Sequence, residues 1–399
     1  MTDSFMTRRH FTQLTAAAIP ALAVGCGPGT ANARDGAAGG SDGSTPGPQA
    51  FERVQWAGYG GAMVVDALAS PGPFNVQNRI GNPLSAAMIA NAGQSGITAV
   101  NVTVSGGGEG DQAFVETVRH LAYWDREMAT HPDVLIKVLD MATLATAKET
   151  GRVGLIIGFQ DTTSLGDDLG RLDIFDDFGV RVIQLTYNLR NAVGDGCLQP
   201  DNGGLTDFGR EVVARMNELG MLVDLSHCGL ATTSDGIAAS SAPVSITHSG
   251  CRAVYDHPRS KPDDILRAMA DNGGVIGIYM MPFLNAEGPA TADHLYQHIE
   301  HAVNVCGEDH VGVGSDNSIT PTVADDAYRA GLKAFDEERQ RLGIGAPREY
   351  ELLFVPELNY PERMGMIADG LLARGHSESR VEKIVGGNWA RLFGEVWTA

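Results

Sequence analysis

From about residue 51 onward this chain repeats one unit: a short, almost wholly apolar run, then a helical stretch. The runs are AMVVDA (62–67), ITAVNVT (97–103), VGLIIGF (153–159), RVIQLTY (181–187), MLVDLS (221–226), PVSITHS (243–249), GVIGIYM (274–280) and VGVGSD (311–316). Strands that are apolar throughout, rather than at alternate residues, suit a parallel sheet covered on both faces. Between them lie helix candidates such as 207–220 and 262–274. The second starts at Pro262 with acidic residues behind it and stops at Gly273-Gly274, as helix ends require. Eight such units predict an α/β fold, a (β/α)8 TIM-type barrel. The runner-up is a doubly wound open sheet, but no GxGxxG fingerprint follows a strand to support it. The tail (360–399) predicts two amphipathic helices joined around Gly375 to Ser377 and packed outside the barrel.

A length of 399 residues and a hydrophobic content of 43% are enough for one large domain. The formal charge of −20 disfavours nucleic acid and anionic membranes as partners. The five cysteines, Cys26, Cys197, Cys228, Cys251 and Cys306, form no CxxC pair and no disulfide framework. Cys228 and Cys251 read as small packing residues, with a disulfide between them as the alternative.

The N-terminal segment reads as an address. Arg8-Arg9 and Phe11 precede the apolar run 14–26, which resembles a twin-arginine export signal and is too short to span a bilayer. The run ends in Gly25-Cys26, resembling a lipoprotein processing box, although Ala23 stands where leucine is usual. Residues 27–50 are rich in Gly, Ala, Ser and Pro and bury too little apolar surface to fold. The expected organisation is an export signal over 1–26, a linker over 27–50 and a barrel with C-terminal helices over 51–399. The expected location is the periplasm or cell envelope, with membrane contact only through a lipid anchor at Cys26.

Three residue types suited to a divalent ion end three of the apolar runs: His227, His248 and Asp316. In a parallel barrel all carboxyl ends of the strands open on one face, so these residues converge. His257 and His310 lack that placement. His257 is expected to orient Arg259, and His310 to stand at a strand entrance away from the site. Asp66 and Asp224, inside their strands, read as structural hydrogen-bond partners.

The segments GLTDFGREVVARMNELGMLVDLSHCG, THSGCRAVYDHPRSKPDDILRAMADNGGVIGI, DHVGVGSD and KIVGGNWARLF, in this order, resemble the membrane (renal-type) dipeptidase family, peptidase family M19. The resemblance covers roughly residues 60–399. It implies a metal-dependent-hydrolase barrel that cleaves dipeptides with two zinc ions, and a homodimer. It makes His227 and His248 ligands of one zinc, Asp316 the catalytic acid–base and Arg259 the contact to the substrate carboxylate. A planar guanidinium fork suits a carboxylate on chemical grounds alone.

Other positions depart from the family. The His-x-Asp pair ending its first strand is Leu68 and Ser70 here, its bridging glutamate is Gln160, and its substrate-contacting histidine is Tyr187. Leucine has no donor atom, serine is a weak ligand, and a neutral amide cannot bridge two cations as a carboxylate does. The expectation is therefore one divalent ion, zinc, on His227 and His248 with Asp316 or Gln160 as third ligand. The loop after the fourth strand (186–204) adds Asn188 and Cys197 as candidate site residues, against the reading that its polar side chains satisfy their own turns. The function expected is an exported dipeptidase-like hydrolase of a dipeptide or small amide. The alternatives are a remodelled enzyme that matures a peptide-derived metabolite, and a non-catalytic peptide-binding envelope protein.

Overall fold

The computed structural model describes residues 51, 53–77, 81–105, 108 and 110–397. The expected export signal, the lipid anchor at Cys26 and the linker lie outside the described residues. Eight strands follow one another in a parallel path: β1 Val65–Asp66, β2 Ala99–Thr103, β3 Val153–Phe159, β4 Val180–Gln184, β5 Leu222–Asp224, β6 Ser245–Ser249, β7 Val275–Ile278 and β8 Val311–Val313. The ring closes by backbone bonds between its ends. Ala67 N donates to Val313 O at 3.0 Å and Asp316 N to Leu68 O at 2.8 Å. A short parallel ladder, Asn317–Ser318 on Ala69–Ser70, extends that seam. One extra strand, Leu135–Lys137, pairs with the first residues of β3.

The predicted helices form where capping chemistry starts them. α5 (Asp207–Glu218) begins at Thr206, whose hydroxyl accepts from Gly209 N, and α7 (Asp263–Asp271) begins after Pro262. α10 (Arg363–Ala373) and α12 (Asn388–Val396) occupy the tail. The tail does not simply lie outside. Trp389, Leu392, Phe393 and Val396 of α12 form one apolar cluster with Val65, Ala99, Ile156, Val182, Leu222 and Val275, so α12 plugs the amino-terminal mouth of the barrel. Trp389 donates its indole N–H to Val313 O at 3.2 Å. A β-carbon at Gly312 would overlap that ring, which is why a glycine stands there.

Side chains two residues apart on a strand share a face. Two steps on from Ala99, Val182 and Leu222 come Asn101, Gln184 and Asp224, all buried. The lining of the barrel thus turns from apolar at the plugged end to polar at the carboxyl end, where the bed of the site lies. Among the described residues, no helix is long and apolar enough to cross a membrane.

Candidate active site

His227 stands three residues beyond β5, and His248 is within β6. The β6–β7 pairing shifts register between Ile246 and Ser249. Such an irregularity re-aims a side chain beside a site. Here it lets both Thr247 and His248 face the interior network. The two imidazoles meet with Nε2 atoms 2.9 Å apart.

The other nitrogen of each ring is spoken for. His227 Nδ1 lies 2.6 Å from Asn188 Oδ1. Asn188 Nδ2 donates to Ile344 O at 2.8 Å, which fixes the amide with its oxygen toward the ring. His227 therefore carries its proton on Nδ1. His248 Nδ1 lies 2.9 Å from Thr247 Oγ1, which in turn donates to Asp224 Oδ2 at 2.7 Å. Asp224 also accepts from Ser226 Oγ at 2.6 Å and from Thr247 N at 2.8 Å, donors that oppose the burial raising its pKa. The Thr247 hydroxyl thus accepts from His248 Nδ1–H. Burial, with Arg259 nearby, pushes both histidine pKa values well below the ordinary 6.5. Two neutral rings then present unshared pairs to one another, an arrangement that calls for a cation.

A tetrahedral zinc with Zn–N bonds of about 2.0–2.1 Å would hold two such nitrogens about 3.3 Å apart, close to the spacing seen. The donor set fits one ion at two positions. Among the described residues, no group of three or more His, Cys, Asp or Glu side chains is arranged to hold a metal. Asp316 therefore does not complete such a group. Gln160 is the neighbour that remains. Its Nε2 is 3.5 Å from His248 Nε2, and its amide also offers an oxygen. The main chain of Gln160 is held by Ser105 Oγ and by the side chain of Gln184.

Asp316 follows β8 in the left-handed backbone region, at φ +60°. Its N–H is tied to Leu68 O at 2.8 Å and its carbonyl accepts from Asn75 Nδ2 at 2.9 Å. Leu68 and Ser70 thus serve the seam that carries Asp316, and Ser70 Oγ accepts from Gly72 N at 3.0 Å. Burial raises the Asp316 pKa to about 7, opposed by the charge of Arg259.

Arg259 is 2% exposed and, among the described residues, forms no direct ion pair, though its charge acts on Asp316. Nη2 donates to His248 O at 3.1 Å, while Nε has no partner. His257 does orient this residue, accepting from Arg259 N at 3.2 Å. His310 stands before β8, bonded to Gly274 O at 2.8 Å, as expected.

Tyr187 stacks on the His227 ring at 4.1 Å between centroids and 22° between planes. Most of its loop serves itself. Asp195 pairs with Arg190 at 2.5 Å, and Asn191 caps Val193 N at 2.8 Å. Tyr187 and Asn188 touch the His227 ring, and Cys197 N donates to His227 O at 2.8 Å. Cys197 Sγ lies 3.5 Å from Asn188 Oδ1, and burial raises its thiol pKa, which makes it a poor nucleophile. Cys228 and Cys251 are free and buried, so the packing reading holds and the disulfide does not form.

Sequence reasoning missed the excursion between β8 and α10. From its helix α9 (Asp326–Arg341), Arg339 donates to Tyr187 OH at 3.4 Å and pairs with Glu349 at 2.6 Å. The only local signal was a charged helix, with nothing to say that it reaches the site.

A sequence profile for the membrane dipeptidases, peptidase family M19, matches residues 75–329. The chain belongs to peptidase family M19. An amidohydrolase structure from Pseudomonas aeruginosa is 31% identical, with a TM-score of 0.72 over 86% of this chain and 98% of that one. A metallopeptidase from Rhodobacter sphaeroides, solved with a phosphinate mimic of L-Ala-D-Ala, shares the fold at 18% identity, with a TM-score of 0.66 over 84% of this chain and 100% of that one. Dipeptidase aclJ of Aspergillus oryzae is 29% identical over 70% of this chain and 61% of its own length. Dipeptidase verJ of Clonostachys rogersoniana is 38% identical over 42% of this chain and 44% of its own. The chain thus spans about half the length of these curated relatives.

Proposed function

We propose that this M19 protein is an exported hydrolase of dipeptides or closely related small amides, working with one zinc ion held by His227, His248 and Gln160. The observation that carries this reading is Arg259. A buried guanidinium with no directly paired counter-ion is costly unless a ligand supplies the missing partner. A substrate carboxylate does so, and Arg259 lies beside the imidazole pair. Relatives described as dipeptidases support the substrate class.

In this reading Arg259 takes the carboxylate through its unpartnered Nε and sets the position of the scissile amide. Asp316, with a pKa near 7, is partly ionised at neutral pH. It accepts a proton from the attacking water and returns it to the leaving amine. When bound, the ion supplies Lewis acidity to the carbonyl and lowers the pKa of water. Tyr187 covers one face of His227 and keeps bulk water from it. Twin-arginine export of the folded chain, with lipidation at Cys26, agrees with the N-terminal segment.

The test is metal content per chain on the protein from residue 50 onward, for wild type and His227→Ala, followed by a broad dipeptide panel. One ion, lost in the variant, together with turnover supports the proposal. Two ions, or none after zinc loading, overturn it. The neutral Gln160 favours a second reading, capture of a peptide carboxylate without turnover. Tight dipeptide binding with no hydrolysis, unaffected by Asp316→Asn, would establish that instead.

A further inference from the structure

The His227 ring is gripped from two sides by consecutive residues of one loop. Tyr187 stacks on its face, and Asn188 Oδ1 accepts from its Nδ1–H at 2.6 Å. Asn188 is 1% exposed and is itself oriented from elsewhere. Its Nδ2 can donate only to an acceptor, and the carbonyl of Ile344 is that acceptor at 2.8 Å. The same carbonyl accepts from Arg339 Nη2 at 3.2 Å, and Arg339 also reaches Tyr187 OH at 3.4 Å. Backbone at Ile344, in the excursion after β8, therefore decides which way the Asn188 amide points. The amide in turn decides which His227 nitrogen keeps its lone pair.

We infer that Asn188 is a positioning residue for metal binding, holding His227 with Nε2 free and aimed at His248. The inference rests on the reading that the two histidines hold an ion. A ligating imidazole ordinarily gives its second N–H to a carboxylate, carbonyl or water, and loss of that partner costs about 10–100-fold in metal affinity. Asn188 supplies a neutral oxygen acceptor to His227. Thr247, backed by Asp224, supplies the equivalent to His248, so the two ligands are oriented by independent networks.

The experiment is cobalt(II) titration of the protein from residue 50 onward, followed by visible absorption, with wild type, Asn188→Leu and Asn188→Asp. Circular dichroism and thermal melting establish that each is folded. The leucine variant keeps the branched heavy-atom layout, with somewhat more bulk, and has no acceptor. Its expected result is cobalt binding weaker by about 10–100-fold with a shifted ligand-field spectrum. The aspartate variant keeps the acceptor for Nδ1 and loses the donation to Ile344 O, so it is expected to bind cobalt more tightly than the leucine variant. Leucine and wild type binding cobalt equally, with the same spectrum, overturn the inference and leave the metal reading intact. No cobalt uptake by wild type overturns both. If the leucine variant does not fold, Asn188→Ala, which removes the acceptor without adding bulk, decides: cobalt affinity and spectrum equal to wild type there are the overturning result.

Discussion

Asp66 and Arg363 form a buried ion pair at 3.1 Å across 297 residues of chain, joining β1 to α10. The second oxygen of Asp66 accepts from Ser315 N at 2.7 Å, one residue before Asp316. Arg363 also donates to Ser315 Oγ at 3.1 Å and Ser318 O at 2.6 Å. The pair therefore anchors the strained turn that presents Asp316. Removing one partner leaves the other charge buried and alone, at a cost of about 3–5 kcal/mol. Arg363→Met is expected to lose that much in urea denaturation. The double variant with Asp66→Asn should recover part of it.

Asp316→Asn is expected to lower turnover by about 10²–10⁴-fold, the usual worth of general acid–base help. In wild type, kcat/KM should rise with pH through about 7, because only the ionised carboxylate accepts a proton. A flat profile across that range would remove Asp316 from the proton transfer.

The same shift predicts stability. The folded pKa of Asp316, about 7, lies above its ordinary 3.8, so between those values the folded state holds a proton that the unfolded state releases. Stability contributed by this group is thus present below 3.8 and is lost as pH rises to about 7. Asn does not titrate. In metal-free protein, Asp316→Asn should melt higher than wild type above neutrality, with the gap closing toward pH 4.

Arg259→Lys keeps a charge and loses the fork. A charged hydrogen bond is worth about 1.5–3 kcal/mol, so kcat/KM for a free dipeptide should fall by about 10–100-fold. A substrate with an amidated C-terminus should lose far less. Equal losses on both substrates would argue against carboxylate recognition by this residue.

Gln160→Glu places a carboxylate beside His248, where the wild-type amide nitrogen stands at 3.5 Å. An anionic oxygen is a better ligand than a neutral amide, so zinc affinity by competition with a chelator should increase. Affinity unchanged by this substitution would mean that residue 160 does not face the ion.

The barrel and half of its site could be read from the sequence alone. Apolar runs at regular spacing can satisfy their backbone and bury both faces only as a parallel sheet with helices outside it. His227, His248 and Asp316 end such runs, so their meeting at one mouth follows from topology. Arg259 came from its chemistry and its resemblance to M19 proteins. Other features depend on contacts between segments that local periodicity does not link. Tertiary packing made α12 a plug, because nothing in its own pattern distinguishes a barrel mouth from an outer groove. The β6 irregularity at His248 depends on pairing with β7. Tertiary structure also separated Asn188 from the self-satisfied residues of its loop, since its partner, the Ile344 carbonyl, is 156 residues away. A backbone carbonyl leaves no mark in a sequence, so its choice of partner is settled only when the chain is folded.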